Sequence, residues 1–374
     1  MSDATRETLP HTNIYTASCL NAAMRCGALY DFIYEKGFVS SRDKPSLEIG
    51  TMVHKGLEAY WKLFPLEAAH ESMRELKKES LYWDTPEGEI SFEKCCLYVA
   101  GYYNHWSWKA DPSKTGADRY LLEADELLIE DFGPNSLTGK ELEDFLEDKR
   151  SRVELEFKMN IVGLNFAGKI DAVTKIDGKY AIIEHKTAGS HASNLTSAYW
   201  ERLPMDVQLT IYREAVRRKY SLDYIPDAYY DVIITTSSEP SQKKPYVRRR
   251  KDESDDSLAI RKEANRESKA EYILRIAPEY LSDSIKYRRR LVSVTREEHE
   301  ERLKELIKMT LLIHCKSGYT SVRNTSSCSD FGGCEFLDVC LGREGLDSPN
   351  FRKRETLHPE LSIIKQEKED DDDI

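Results

Sequence analysis

Apolar residues recur three and four positions apart over residues 19–34, 50–64, 66–82, 93–108, 205–220 and 296–314, the repeat that lines one face of an α-helix. Between these segments the pattern changes. The runs 153–161, 164–174, 180–187 and 228–235 are short and rich in β-branched and aromatic residues, which predicts four strands. The order of helices, three strands, helix, strand and helix predicts an α/β fold with a mixed central sheet flanked by helices. Residues 60–130 read as a helical insertion ahead of that sheet. Two stretches fall outside the pattern. Residues 237–290 open with few large apolar side chains and hold Lys243, Lys244, Arg248, Arg249, Arg250 and Lys251, so an exposed basic excursion is expected there. Residues 343–374 end on Asp370, Asp371, Asp372 and Asp373, and a self-repelling run with little to bury is expected to be a disordered acidic tail. One domain over 1–342 remains.

Asp177 and Gly178 separate the second and third strands, and Asp-Gly is the strongest short signal for a two-residue hairpin loop. The register this loop dictates sets Asp171 directly opposite Glu184. Facing Cβ atoms in an antiparallel pair stand roughly 4.5 to 5.5 Å apart, where like charges destabilise; a divalent cation is the natural compensation. Lys186 shares the Glu184 face, two residues on. Asp171 and Glu184 thus offer hard oxygen ligands to Mg2+ or Mn2+, and Lys186 an ammonium able to orient water or neutralise charge on a phosphate. The same charges would also suit a surface cross-strand ion pair, and at this point both readings stand. Upstream, His54 and Glu58 lie four apart on one helix face; downstream, Gln208 and Tyr212 repeat that spacing.

In combination these residues resemble the RecB-type nucleases of the PD-(D/E)XK superfamily, which include the nuclease domains of RecB and AddB and the CRISPR-associated Cas4 proteins. The resemblance spans residues 15 to 342. It is carried by Gly50-x-x-x-His54-x-x-Leu57-Glu58, Gly168-Lys169-Ile170-Asp171, Ile183-Glu184-His185-Lys186-Thr187 and Gln208-x-x-x-Tyr212, in that order. It implies a restriction-endonuclease-like core and metal-dependent hydrolysis of DNA phosphodiester bonds, as an exonuclease preferring single strands in recombination, repair or phage and CRISPR-type DNA processing. By the same resemblance His54, Asp171 and Glu184 would ligate Mg2+ or Mn2+, Lys186 would be the catalytic lysine, and Gln208 with Tyr212 would contact DNA. Lys169 would face Lys186 in the hairpin register, which requires a bend or a neighbouring carboxylate or phosphate.

Cys328, Cys334 and Cys340 form Cys-x5-Cys-x5-Cys. Three thiols leave a tetrahedral site one ligand short, and Cys26 is the chosen fourth, with Cys19 its rival; four-thiolate sites suit either an Fe–S cluster or Zn2+. Some RecB-like nucleases carry a 4Fe-4S cluster on one cysteine before the histidine motif and three after the core, so the resemblance implies such a staple here. The spacing departs from the commoner C-terminal Cys-x2-Cys-x5-Cys. Buried free thiols are the plain alternative, and Cys95, Cys96 and Cys315 read as core.

The chain has 374 residues, 55 Lys and Arg against 66 Asp and Glu, and a formal charge of −11. That balance argues against unspecific coating of nucleic acid, but a local basic groove remains open. Lys243 to Lys251 and Arg288-Arg289-Arg290 are candidates for a phosphate-tracking rim, with Tyr246, Tyr199, Trp200, Trp106 and Trp108 as stacking or core aromatics. No run approaches the roughly 20 apolar residues of a bilayer span, so no membrane partner and a cytoplasmic location are expected. The partner expected is DNA, single-stranded or with free ends, and a helicase or recombinase could assist. A non-catalytic Fe–S DNA-binding accessory subunit of a recombination complex is the chief rival, and a zinc-stapled RNA-processing nuclease a third reading.

Overall fold

Eight strands occur among the described residues: β1 (Ile14–Tyr15), β2 (Phe38–Ser40), β3 (Val153–Ile161), β4 (Leu164–Ile176), β5 (Lys179–Ala188), β6 (Asp227–Ile234), β7 (Tyr287–Val292) and β8 (Phe351–Lys353). The structure is a computed structural model and describes residues 14–42, 44–106, 140–176, 178–243, 248–251, 253–282, 284–315, 322–359 and 361. β3, β4 and β5 form an antiparallel meander, β6 joins β5 in parallel, and β7 closes antiparallel on β6. β1 lies parallel to β4. The sheet is therefore mixed, as the pattern of elements predicts.

Alternation along each strand sends side chains to two helical layers. One layer holds the helices Ala17–Arg25, Val207–Lys219 and Arg296–His314, and buries Leu20, Leu209 and Leu306 against Phe166, Ile182 and Val232. The other holds Pro45–Trp61, Leu66–Lys77, Pro86–Trp106 and Lys269–Leu281, with Met52, Tyr98 and Tyr272 packed around Ile233 and Tyr287. Local signals set the helix ends. Pro45 occupies the first turn, where its missing N–H costs nothing, and Asp206 caps Val207–Lys219 by accepting from the Leu209 N–H at 3.0 Å. Gly56 fixes how close the Pro45–Trp61 helix comes to its neighbour, because a Cβ there would stand 2.5 Å from Val99.

Four expectations are corrected. The 19–34 helix is broken at Cys26, whose extended backbone (φ −166°) separates Ala17–Arg25 from Gly27–Tyr30. The 237–290 excursion is only partly an excursion: Tyr272, Ile276 and Tyr280, four apart, bury one face of Lys269–Leu281, and 287–292 is a sheet strand. Residues 343–359 are not an unfolded tail, because β8 pairs with β2 and Phe351 and His358 are buried. Cys315 is exposed rather than core. Residues 107–130 of the insertion, Trp108, Asp177, Tyr246 and the acidic run after 361 lie outside the described residues. No helix among the described residues is long and apolar enough to cross a membrane.

Candidate active site

The hairpin register is the one Asp-Gly dictates, with Ala172 opposite Ile183 and Ile176 opposite Lys179. Pairing stops there. Beyond Ile183, β5 stays on β6, with Glu184 opposite Tyr230 and Lys186 opposite Val232, while β4 is next met on that side by β1 at Asn165 and Phe166. The β4 segment 167–171 is thus left without a strand on that edge. Two side chains close the gap. Asp171 Oδ2 accepts the His185 N–H at 2.7 Å, and the Tyr212 hydroxyl donates to the Lys169 carbonyl at 2.6 Å. Asp171 and Glu184 stand at the mouth of a splayed hairpin rather than as a ladder pair. Splaying also resolves the expected clash of lysines, since Lys169 turns to Glu154 at 2.6 Å.

Glu184 and Lys186 share the face covered by Val207–Lys219. The Lys186 ammonium donates to Glu184 Oε1 and, at 3.1 Å, to Gln208 Oε1, while Gln208 donates to the Tyr212 hydroxyl at 2.9 Å. Gln208 and Tyr212, expected on DNA, here brace the lysine and the β4 edge. Glu184 is 1% exposed, and its Oε2 has no hydrogen-bond partner. His54 comes from the other layer and sets Nδ1 3.3 Å from Asp171 Oδ1. His185, between Glu184 and Lys186 in sequence, points away from them and meets the rings of His54, Trp61 and Tyr102. His54, Asp171, Glu184 and Lys186 are brought together at one place.

Burial pushes the Glu184 carboxyl up to about 7, and Lys186 only partly offsets it. Burial acts on Asp171 in the same sense, but the adjacent His54 charge and its hydrogen bond hold that carboxyl well below the usual range. For His54, burial opposes the charged form and Asp171 more than restores it. The two carboxyls of one site are therefore shifted in opposite senses, Glu184 towards its acid and Asp171 towards its anion.

Sequence reasoning missed Glu154. The β3–β4 register passes from Val153–Ala172 to Leu155–Ile170 and skips the pair Glu154 and Asp171, and Glu154 is left-handed at φ 54°. Burial and then the Asp171 charge raise its carboxyl, against the pull of Lys169. Strand alternation alone carries no sign of that skip. Also missed was the buried knot behind His185. Arg289 Nη2 donates to Asp231 Oδ2 and to the Tyr102 hydroxyl, both at 3.0 Å, with its guanidinium 3.9 Å from the Trp106 ring centroid. Arg289 is therefore no phosphate-tracking rim residue. Arg290 is engaged with Glu201, and Lys243 and Arg249 pair with Glu271 and Asp255.

The four chosen cysteines are linked through Asn324 and a separate aromatic cluster. Cys26 Sγ accepts the Asn324 N–H at 3.4 Å, Cys328 Sγ contacts the Asn324 carbonyl at 3.9 Å, and the Cys334 N–H donates to the Cys328 carbonyl at 2.8 Å. Cys26, Cys334 and Cys340 pack on Phe336 and Phe351. Burial raises the Cys340 thiol, Arg323 opposes, and Cys334, Cys26 and Cys328 raise it further. Cys19 is buried in the main core, away from this group. Among the described residues no set of three or more His, Cys, Asp or Glu side chains stands arranged to hold a metal: Glu184 is turned to Lys186, and Asp171 is tied to His54 and β5. The unpartnered Glu184 Oε2 beside an ionised Asp171 is nevertheless an acceptor set that a hard cation fits.

The chain belongs to the PD-(D/E)XK nuclease superfamily, whose family model matches residues 15–341. Members of this superfamily are generally nucleases, and they typically use Mg2+ or Mn2+. No curated protein matches the chain. Among solved structures, one titled "Crystal structure of SSO0001" is similar at 16% identity and a TM-score of 0.24, covering 67% of this chain and 96% of that one; a likeness this weak carries neither fold nor function.

Proposed function

We propose that the protein is a Mg2+- or Mn2+-dependent deoxyribonuclease of the RecB, AddB and Cas4 type, a cytoplasmic exonuclease acting on single strands or free DNA ends in recombination, repair or related DNA processing, with a helicase or recombinase as possible partner. The observation that carries this reading is the splayed hairpin, where Asp171 and Glu184 stand together beside Lys186 with one buried carboxylate oxygen unpartnered. Asp171, Glu184 and His54 would hold the cation, which when bound supplies Lewis-acid stabilisation at the scissile phosphate and a more acidic water. The chain's own residues do the rest. Lys186 is held by Gln208 so that its ammonium faces the site and can neutralise developing charge on phosphate. Tyr212 satisfies the unpaired β4 edge at Lys169, and the His54 hydrogen bond favours the ionised form of Asp171. Cys26, Cys328, Cys334 and Cys340 would, by the family resemblance, hold a 4Fe-4S cluster, or Zn2+ in its place; three of them, Cys26, Cys334 and Cys340, pack on Phe336 and Phe351. An intact His54, Asp171, Glu184 and Lys186 set tells against a purely DNA-binding accessory role. Gln208→Ala should cost turnover more than metal affinity, because it frees Lys186 without touching a carboxylate. Cleavage of single-stranded DNA with Mn2+ against chelator, and isothermal titration of Mn2+, check this; normal turnover in Gln208→Ala would remove Gln208 and its hold on Lys186 from the site.

A further inference from the structure

β2, β8 and the start of the Pro45–Trp61 helix line an open cavity of about 540 Å³, within the size range of ligand sites. Part of its wall, including Arg352, Arg354 and Thr356, lies beyond the residues the superfamily model matches. Three chemistries line it. Arg42, Lys44, Arg352 and Arg354 are cationic; Val39, Leu47 and Pro359 are apolar; Glu48, Glu335 and Glu355 are carboxylates. Internal contacts occupy only part of this set. Lys44 pairs with Glu335 at 2.6 Å, and Arg354 donates to the Leu357 carbonyl at 2.9 Å. Neither Arg42 nor Arg352 forms a close ion pair with another described residue, although the Arg42 charge acts on the Glu344 carboxylate; the Thr356 hydroxyl oxygen is buried without a partner, and Leu47 is 62% exposed.

Guanidinium groups match phosphate, an exposed leucine offers contact to a base face, and carboxylates accept from base amino groups. An unpaired nucleotide presents all three at once, whereas pairing hides the Watson–Crick edge and stacks the base face. The cavity is also close to the candidate active site. Glu48 lies six residues from His54 on one helix, roughly 9 Å of rise, so the wall that Glu48 forms stands within a few nucleotide lengths of the His54 end of the site. We propose that this cavity is a single-strand subsite, which takes an unpaired nucleotide of the DNA substrate and binds its phosphate with Arg42 and Arg352. The inference rests on the nuclease reading and deepens it.

The test is binding of a fluorescent single-stranded oligonucleotide to the full chain in chelator, so that no cleavage intervenes. Arg42→Ala/Arg352→Ala should melt like wild type, lose about tenfold in affinity, and lower the slope of log affinity on log salt by about 0.7, the value for one phosphate on a single strand. Photo-crosslinking of a bromodeoxyuridine oligonucleotide to wild type needs no variant and should label peptides from 33–48 or 352–359. Unchanged affinity and salt slope, or crosslinks confined to other peptides, overturn the subsite. A wild-type protein that binds through this cavity but cuts no DNA with Mn2+ overturns the nuclease reading and leaves the subsite standing.

Discussion

Glu184 is the residue on which two demands meet: burial favours its neutral acid, and a cation needs its carboxylate. With its carboxyl raised from 4.5 to about 7, the folded metal-free protein holds a proton that the unfolded chain has lost over that interval, so this contribution to stability is full below pH 4.5 and gone above pH 7. Metal binding has the opposite sign. Mn2+ affinity should fall by more than about tenfold per pH unit below pH 7, since protons on both Glu184 and His54 compete with the cation, and Glu184→Gln should flatten that dependence and remove most of the affinity; calorimetric titration at pH 6 and pH 8 measures both. Lys186→Met should abolish turnover but bind Mn2+ at least as tightly as wild type, because the ammonium that now occupies Glu184 Oε1 is gone. Asp171, Glu184 and Lys186 were legible in the sequence because Asp-Gly fixes a register and strands alternate with a period of two. Glu154 was not, because its position depends on a skipped pair that no local pattern encodes.

At the scale of elements, β6 and β7 are pinned by Asp231 and Arg289, both buried. Arg289 would remain as an uncompensated buried charge in Asp231→Ala, which should lose about 3 to 5 kcal/mol in a urea melt; a cost below about 1 kcal/mol would mean that the pair is solvated. This pair also explains what pattern reading missed. Three consecutive arginines look like a solvated rim, yet in a strand alternate residues face opposite sides, and the middle one is drawn inward by a carboxylate 58 positions away. Helix 296–314 and strands 153–161 and 180–187 were recovered closely because their own periodicity is strong. Lys269–Leu281 was overlooked because charged residues surround its three buried anchors, Tyr272, Ile276 and Tyr280.

The whole molecule joins its two ends twice. Asn324 and Ser327 bond the Arg25 carbonyl, and β8 pairs with β2. A crosslink between residues as far apart as Cys26 and Cys328 is worth about 5 to 6 kcal/mol by loop closure, so Cys328→Ser should melt markedly lower if a cluster is held. Anaerobic wild type should then be brown with about four irons per chain, whereas one zinc per chain would make the staple a four-cysteine zinc site. Phe351→Ala should cost about 3 kcal/mol in a thermal or urea melt, because its ring stacks on Phe336 beneath the cysteines. The acidic tail looked unstructured from its last residues alone; its first part folds because β8 pairs with β2 and Phe351 stacks on Phe336. All of this scaffold serves a single claim, that the splayed hairpin is a metal-dependent nuclease centre. Release of label from end-labelled single-stranded DNA, by wild type and by Glu184→Gln with Mn2+ or chelator, tests it most directly. Cleavage by wild type only with Mn2+, and none by Glu184→Gln, is the predicted result; a metal-loaded wild type that leaves DNA intact, or a variant that cuts as fast as wild type, would contradict it.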